Sequence, residues 1–211
     1  MTRAHAPEPA GFRAPLVLLG AAAAVFLPAL TVAAAEPPPD WELDLAEWIN
    51  DAPGWLAGVL WPVMQLGTVW APVVIGIAAA WWYGWRRGLA IVVSGVAAWF
   101  LAKVVKDIVE RGRPLEYLPK INVREGSGTG LGFVSGHSAV AFAIATALMW
   151  VLPRWARVVA YALASLVGIA RIIYGLHLPA DVVGGACAGI MTACVVELLL
   201  RATQVRSLQN A

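Results

Sequence analysis

Gly168-Ile-Ala-Arg171-Ile-Ile-Tyr-Gly-Leu-His177-Leu-Pro-Ala-Asp181 sets three polar side chains between two strongly apolar runs. Arg171 and His177 are six residues apart, and Asp181 follows four later. A charged group within an apolar run costs roughly 2.5–3.5 kcal/mol on insertion scales, unless it meets water, a partner or a substrate. One other histidine lies in the body of the chain, in Val134-Ser-Gly-His137. A basic cluster, Lys106 and Arg113-Pro114, precedes it. What the molecule can do depends on whether these three patches meet.

Composition fixes the setting. The 211 residues are 60% hydrophobic and only 13% charged, with a mean hydropathy of +0.73. A soluble domain carries about 25% charged residues, so the chain reads as an integral membrane protein. A net charge of +2 is too small to point to nucleic acid. There is no internal repeat, and the length suits a single membrane domain over 15–200, flanked by cytoplasmic tails at 1–14 and 201–211. Cys187 and Cys194 are about 10 Å apart along a helix, too far for a mutual disulfide, and read as small packing residues. No His, Cys and carboxylate group has metal-ligand spacing, so neither metal nor cofactor is expected.

The apolar segments predict six spans. Residues 15–35 are uncharged and long enough to cross. Ala33-Ala-Ala35 also resembles a signal-peptide cleavage site, but the run exceeds a signal core of about 7–15 residues and reads as an uncleaved span. Residues 36–53 hold six acids and no Lys or Arg, with Trp41, Leu45, Trp48, Ile49 and Ala52 at helical intervals. That pattern predicts an amphipathic helix in the outer interface. Residues 52–85 are uncharged and too many for one crossing; Pro62, Gly67 and Pro72 mark expected breaks. The second span is expected over 68–85, after a short re-entrant or interfacial piece. Further spans are expected over 88–109, 135–152, 156–173 and 181–200, with a polar loop over 110–134. The expected fold is therefore all-α, a polytopic six-helix bundle with an outer-face interfacial helix.

Six spans place residues 1–14, 86–87, 153–157 and 201–211 on one side, and their excess of arginine marks it as cytoplasmic. The loop 110–134 then faces outward from a bacterial-type inner membrane, yet carries Arg111, Arg113, Lys120 and Arg124. This local exception suggests that some of those charges have a use. Between His137 and Arg171 the chain runs down and back through two spans of about 26 Å each. Lys106 and Arg113 stand at the outer end of the third span. All three patches therefore reach the outer face.

Their chemistry is that of an oxyanion site. Lys106, Arg113 and Arg171 supply positive charge, and Arg suits bidentate contact. Ser135 and Gly136 open a helix, where free amides favour an anion. His177 has Asp181 as a natural orienter, and His137 could give a proton to a leaving oxygen. A nucleophilic imidazole, an acid imidazole and a cationic cradle suit covalent phosphoryl transfer without metal.

Lys106-x6-Arg113-Pro114, Ser135-Gly136-His137 and Arg171-x5-His177-x3-Asp181 resemble the three-part signature of the type 2 phosphatidic acid phosphatase superfamily. The resemblance covers residues 106–181. It implies an all-helical bundle, a phosphohistidine intermediate and no metal requirement. It implies His177 as nucleophile, Asp181 as its partner and His137 as general acid. Lys106, Arg113, Ser135, Gly136 and Arg171 would hold the phosphate. Two positions depart from the family pattern: Val134 stands for a usual Pro, and Ala170 for a usual Ser.

The expected function is an integral membrane lipid phosphatase whose partners are the bilayer and a lipid phosphate. An isoprenoid diphosphate is the favoured substrate, with phosphatidate or phosphatidylglycerol phosphate, or a phosphotransferase reaction, as alternatives. A non-catalytic headgroup binder would use the same cradle without needing His177. Lys103 reads as a side chain that snorkels to the interface, Lys120 and Arg124 as surface charges and Arg111 as a solvated loop charge. Glu197 and Arg201 read as a helix-end pair, and Tyr174 as packing.

Overall fold

The computed structural model describes residues 11–209. Residues 1–10, most of the tail expected on the cytoplasmic side, lie outside the described residues. The described chain is all-helical: α1 (Arg13–Ala33), α2 (Asp40–Asn50), α3 (Gly54–Met64), α4 (Ala71–Tyr83), α5 (Trp85–Val109), α6 (Pro114–Tyr117), α7 (Gly136–Leu148), α8 (Arg154–Ile173) and α9 (Pro179–Gln209). A 3-10 turn, Gln65–Gly67, follows α3. Helices α1, α5, α8 and α9 are long and apolar enough to cross a membrane. The pair α3 and α4, bent by 66°, makes a fifth crossing if counted as one. The chain is a multi-pass membrane protein.

Helix α7 is the axis of the bundle. Every residue from Ser138 to Ala141 and from Ala143 to Ala147 is buried. It packs against α5, α8 and α9. Close approach explains its alanines: α9 passes it so tightly that a Cβ on Gly185 or Gly189 would strike the carbonyl oxygens of Ser135 and Ala139. Outward-facing residues are apolar instead, with Leu16, Val25, Ile77, Leu89, Val158 and Leu199 exposed on the flanks. Trp41, Trp48, Trp55, Trp61 and Trp70 are exposed among the segments assigned to the outer end, and Trp81, Trp82, Trp85 and Trp155 among those assigned to the cytoplasmic end.

Three boundaries differ from expectation. The fourth span was expected over 135–152, but α7 has 13 residues, about 20 Å of helix. Residues 149–152 form a turn, because the residue before Pro153 is driven away from helical backbone. Pro62 does not break the chain and lies inside α3. The bend falls at Gly67 instead, where a Cβ would lie 2.7 Å from the carbonyl oxygen of His137. Pro72, another of the expected breaks, opens α4 just after it. Helix α9 continues past residue 200 to Gln209, so much of the expected C-terminal tail is helical. The expected Glu197–Arg201 pair, at 2.6 Å, lies within that continuous helix and supports it. Helix α2 turns Trp41, Leu45 and Trp48 outward and buries Glu42, Ala46 and Asn50. Glu42, expected on a solvated acidic face, is therefore an inward-facing charge.

Candidate active site

The segment from Arg171 to Asp181 is held at both ends by helix caps. Helix α8 ends with Gly175 at φ +69°, where its amide donates to Ile172 and that of Leu176 to Arg171. This left-handed turn needs glycine and satisfies the last carbonyls of the helix. Asn122 leaves no room for a side chain at Gly175 either. Four residues on, Pro179 opens α9. Asp181, in its first turn, accepts the Leu178 amide at 2.9 Å, a reciprocal cap that fixes the carboxylate. His177 lies between the two caps.

His177 and Asp181 are both buried. The Nδ1 atom of His177 is 3.3 Å from Oδ2 of Asp181. With the proton on Nδ1, Nε2 is left with its lone pair. Burial, then the charges of Lys106, Arg171 and Arg113, push the His177 imidazole well below its ordinary value of 6.5, opposed by a hydrogen bond to the Gly132 backbone. The ring is therefore neutral at physiological pH, the form that can act as a nucleophile.

The cations converge on the same ring. Lys106 Nζ donates to the carbonyls of Leu131 (2.5 Å) and Gly132 (2.8 Å). Arg113 Nε reaches the Leu131 carbonyl at 3.5 Å. Burial pushes the Arg113 guanidinium down, opposed by Asp181. Arg171 Nη1 contacts Glu125 at 3.1 Å and Met64 Sδ at 3.3 Å, while its buried Nε has no partner. Ser135 caps α7, its Oγ accepting the Ser138 amide at 3.5 Å. The Ser135 amide donates to the Asp181 carbonyl at 2.8 Å, which joins the start of α7 to the start of α9. The first amides of α7, at Gly136 and His137, begin the helix and have no acceptor within it. His137 lies within electrostatic reach of Arg171, His177, Arg113 and Lys106.

A model of the PAP2 superfamily matches residues 83–204, more than half of the chain and all three patches. The chain belongs to the PAP2 superfamily. Among curated PAP2-like relatives, an undecaprenyl-diphosphatase of Sulfolobus acidocaldarius is 29% identical over 104 residues, 49% of this chain. That match spans 50% of the archaeal protein, so this chain covers half of its length. Phosphatidylglycerophosphatase B of Bacillus subtilis is 28% identical over 158 residues, 68% of this chain and 74% of that protein. Two crystal structures share the fold at a TM-score of 0.65. Aquifex aeolicus LpxE is 25% identical and matches 75% of this chain and 96% of its own. The PAP2-type phosphatidylglycerolphosphate phosphatase of Bacillus subtilis is 27% identical and matches 83% and 94%.

All eight residues singled out from the PAP2 signature fall in this one region. Two other charges do not behave as expected. Arg111, expected to be solvated, is buried and bonded to Glu42 and Asp181. A guanidinium in the interior needs such partners. Arg124, expected at the surface, is half-buried and donates to the carbonyls of Asn50 (2.7 Å) and Ala52 (2.8 Å), tying the loop to the end of α2. Lys103 lies 3.8 Å from the centroid of the Trp99 ring, apart from the cradle. Glu42, Arg111 and Glu125 are the site residues that sequence reasoning missed. The signal for Glu42 was its register: it shares the stripe of Ala46 and Asn50, opposite the tryptophans.

Proposed function

We propose that this protein is a phosphatase for the phosphate or diphosphate of a membrane lipid, acting at the extracytoplasmic face of a bacterial-type cell membrane. One observation carries the reading: a buried neutral imidazole, braced by a carboxylate and ringed by three cations. In this reading α3–α4 and α7 complete six crossings within a single domain over 15–200, α2 lies in the outer interface, and the arginine-rich ends face the cytoplasm. The partners are the bilayer and the lipid phosphate itself.

The phosphoryl group enters between Lys106, Arg113 and Arg171, with the first amides of α7 and Ser135 as further donors. His177 Nε2 attacks phosphorus in line with the leaving oxygen. The P–N bond forms as the P–O bond breaks, and His137 gives its proton to the departing lipid oxygen. Asp181 stabilises the positive charge on the phosphorylated ring. Water then attacks phosphorus, His137 takes a proton from it, the P–N bond breaks and inorganic phosphate leaves. Each step uses only groups of this chain.

An isoprenoid diphosphate, such as undecaprenyl or decaprenyl diphosphate, is the favoured substrate. An outward-facing site supports it, as does the name of the archaeal relative. The second reading, a phosphatidate or phosphatidylglycerol phosphate, is supported by the wider match to the Bacillus protein. Transfer of the phosphoryl group to a lipid hydroxyl is a variant of the same chemistry. An apolar groove between α4, α7 and α8, lined by Leu66, Ile75, Ala141, Ile144 and Leu163, suits a hydrocarbon tail. The test is phosphate release by the purified protein from a panel of these lipids, with chelator present. One lipid class should turn over best, and His177→Ala should lower the rate by about 10⁴-fold or more. Full activity in His177→Ala would leave only a headgroup binder, and a phosphorylated lipid product would mark a transferase.

A further inference from the structure

Two buried charged residues behind His177 and Asp181 have no task in this mechanism. Glu42 comes from α2, and Arg111 from the loop after α5; they are 0% and 2% exposed. Arg111 bridges two carboxylates. Its Nη1 is 3.0 Å from Asp181 Oδ1 and 3.3 Å from Glu42 Oε1, and its Nη2 is 2.5 Å from Glu42 Oε2. Glu42 Oε1 also accepts the amide of Ala180, the neighbour of Asp181, at 2.8 Å. Stability alone gives little reason for this arrangement, because well-packed apolar residues often serve as well as a buried ion pair.

The geometry points to Arg111 and Glu42 as positioning residues of the hydrolysis: Arg111 keeps Asp181 ionised and aimed at His177, and Glu42 holds Arg111 in place. This inference rests on His177 being the nucleophile. A carboxylate with no exposure keeps its charge only beside a cation or several donors. Asp181 has three: Arg111, the Leu178 amide and the His177 ring. The two-pronged contact with Glu42 sets the plane of the guanidinium, and so the direction of its remaining bond. Helix α2 thereby becomes part of the active site.

The charged and titratable groups facing Asp181, His177 and Arg111 are Lys106 from α5, Arg113 and Tyr117 from the following loop, His137 from α7, and Arg171 from α8, itself paired with Glu125. These stay in place when Arg111 or Glu42 is changed, so a change in the pH profile reports the pair. Without Arg111, Asp181 must lose a proton that it now holds more tightly, and the acid limb of kcat moves to higher pH. Without the charge of Glu42, Arg111 acts undiminished on Asp181 and His177, and the limb moves to lower pH.

The experiment compares the full-length protein with Arg111→Met, Arg111→Lys and Glu42→Gln in detergent micelles carrying the best lipid substrate. Phosphate release is followed across pH, and thermal unfolding alongside it. Arg111→Met and Glu42→Gln should each lower kcat by about 10- to 100-fold, with KM within about threefold. Their acid limbs should shift in opposite directions, and Arg111→Lys should restore the limb. Losses that are uniform with pH and track the fall in melting temperature would overturn the inference; so would an unchanged kcat. If Arg111→Met does not fold, Glu42→Gln and Arg111→Lys decide the matter. His177→Ala is run in parallel. If it is active, the nucleophile reading fails; if it is dead while Glu42→Gln and Arg111→Lys behave as wild type, only the positioning role fails.

Discussion

The two ends of the bundle both bury charge, and they do so differently. At the end assigned to the cytoplasm, Arg87 and Arg201 converge on the single carboxylate of Glu197, at 2.5 and 2.6 Å, and Arg201 also lies over Trp150. At the end assigned to the outer face, Lys106 and Arg113 converge on the uncharged carbonyl of Leu131. Among the described residues neither has a carboxylate within salt-bridge distance. The first arrangement closes on itself and holds helices together. The second leaves a positive field without a matching anion, which a binding site requires and a structural network avoids.

Substitutions at the two ends should separate these roles. The largest effect is expected from Arg113→Met and Lys106→Met, each lowering kcat/KM by about 10²–10³-fold with little change in melting temperature. Loss of fold instead of activity would make the cradle a structural network like the other end. His137→Ala should follow, with a fall of about 10²–10⁴-fold in kcat. It should be mildest for substrates whose leaving group needs no proton.

The pH profile offers a smaller and sharper effect. As the proposed nucleophile His177 would react when neutral, and burial together with Lys106, Arg171 and Arg113 holds its titration well below 6.5. Activity should therefore persist as pH falls through 6.5 and drop only in more acid solution. Lys106→Met should move that limb upward, because it removes a charge that disfavours the protonated ring. At the opposite end, Glu197→Gln should lower stability by about 1–3 kcal/mol and leave kcat/KM unchanged. The smallest effect is expected at Glu125, whose carboxylate contacts Arg171 where a phosphate would bind. Glu125→Gln should lower KM by roughly two- to fivefold at constant kcat; an unchanged KM would mean that the contact is broken before substrate arrives.

The legible parts of the site are those whose spacing is local. Arg171, His177 and Asp181 belong to one stretch, and charged groups at the edge of apolar runs are conspicuous. The Arg111–Glu42 pair was not legible, because its members are 69 residues apart and Arg111 is one of several loop cations. The length of α7 was hidden for another reason. Met149–Leu152 is as apolar as the helix before it, and hydropathy does not distinguish a turn from a last helical turn. Gly67 and Pro72, two of the three expected breaks, bound the bend; the contact of Gly67 with His137, far along the chain, was not legible.

That contact also limits how the protein can be made hardier. Filling glycines and straightening helices is a common route to a more robust protein. Here the backbone of His137, the proposed proton donor, rests directly on the missing side chain of Gly67, so an alanine at that point would gain chain stiffness by pushing His137 out of alignment. The glycine at the bend between α3 and α4 is thus the one that an engineer should leave alone.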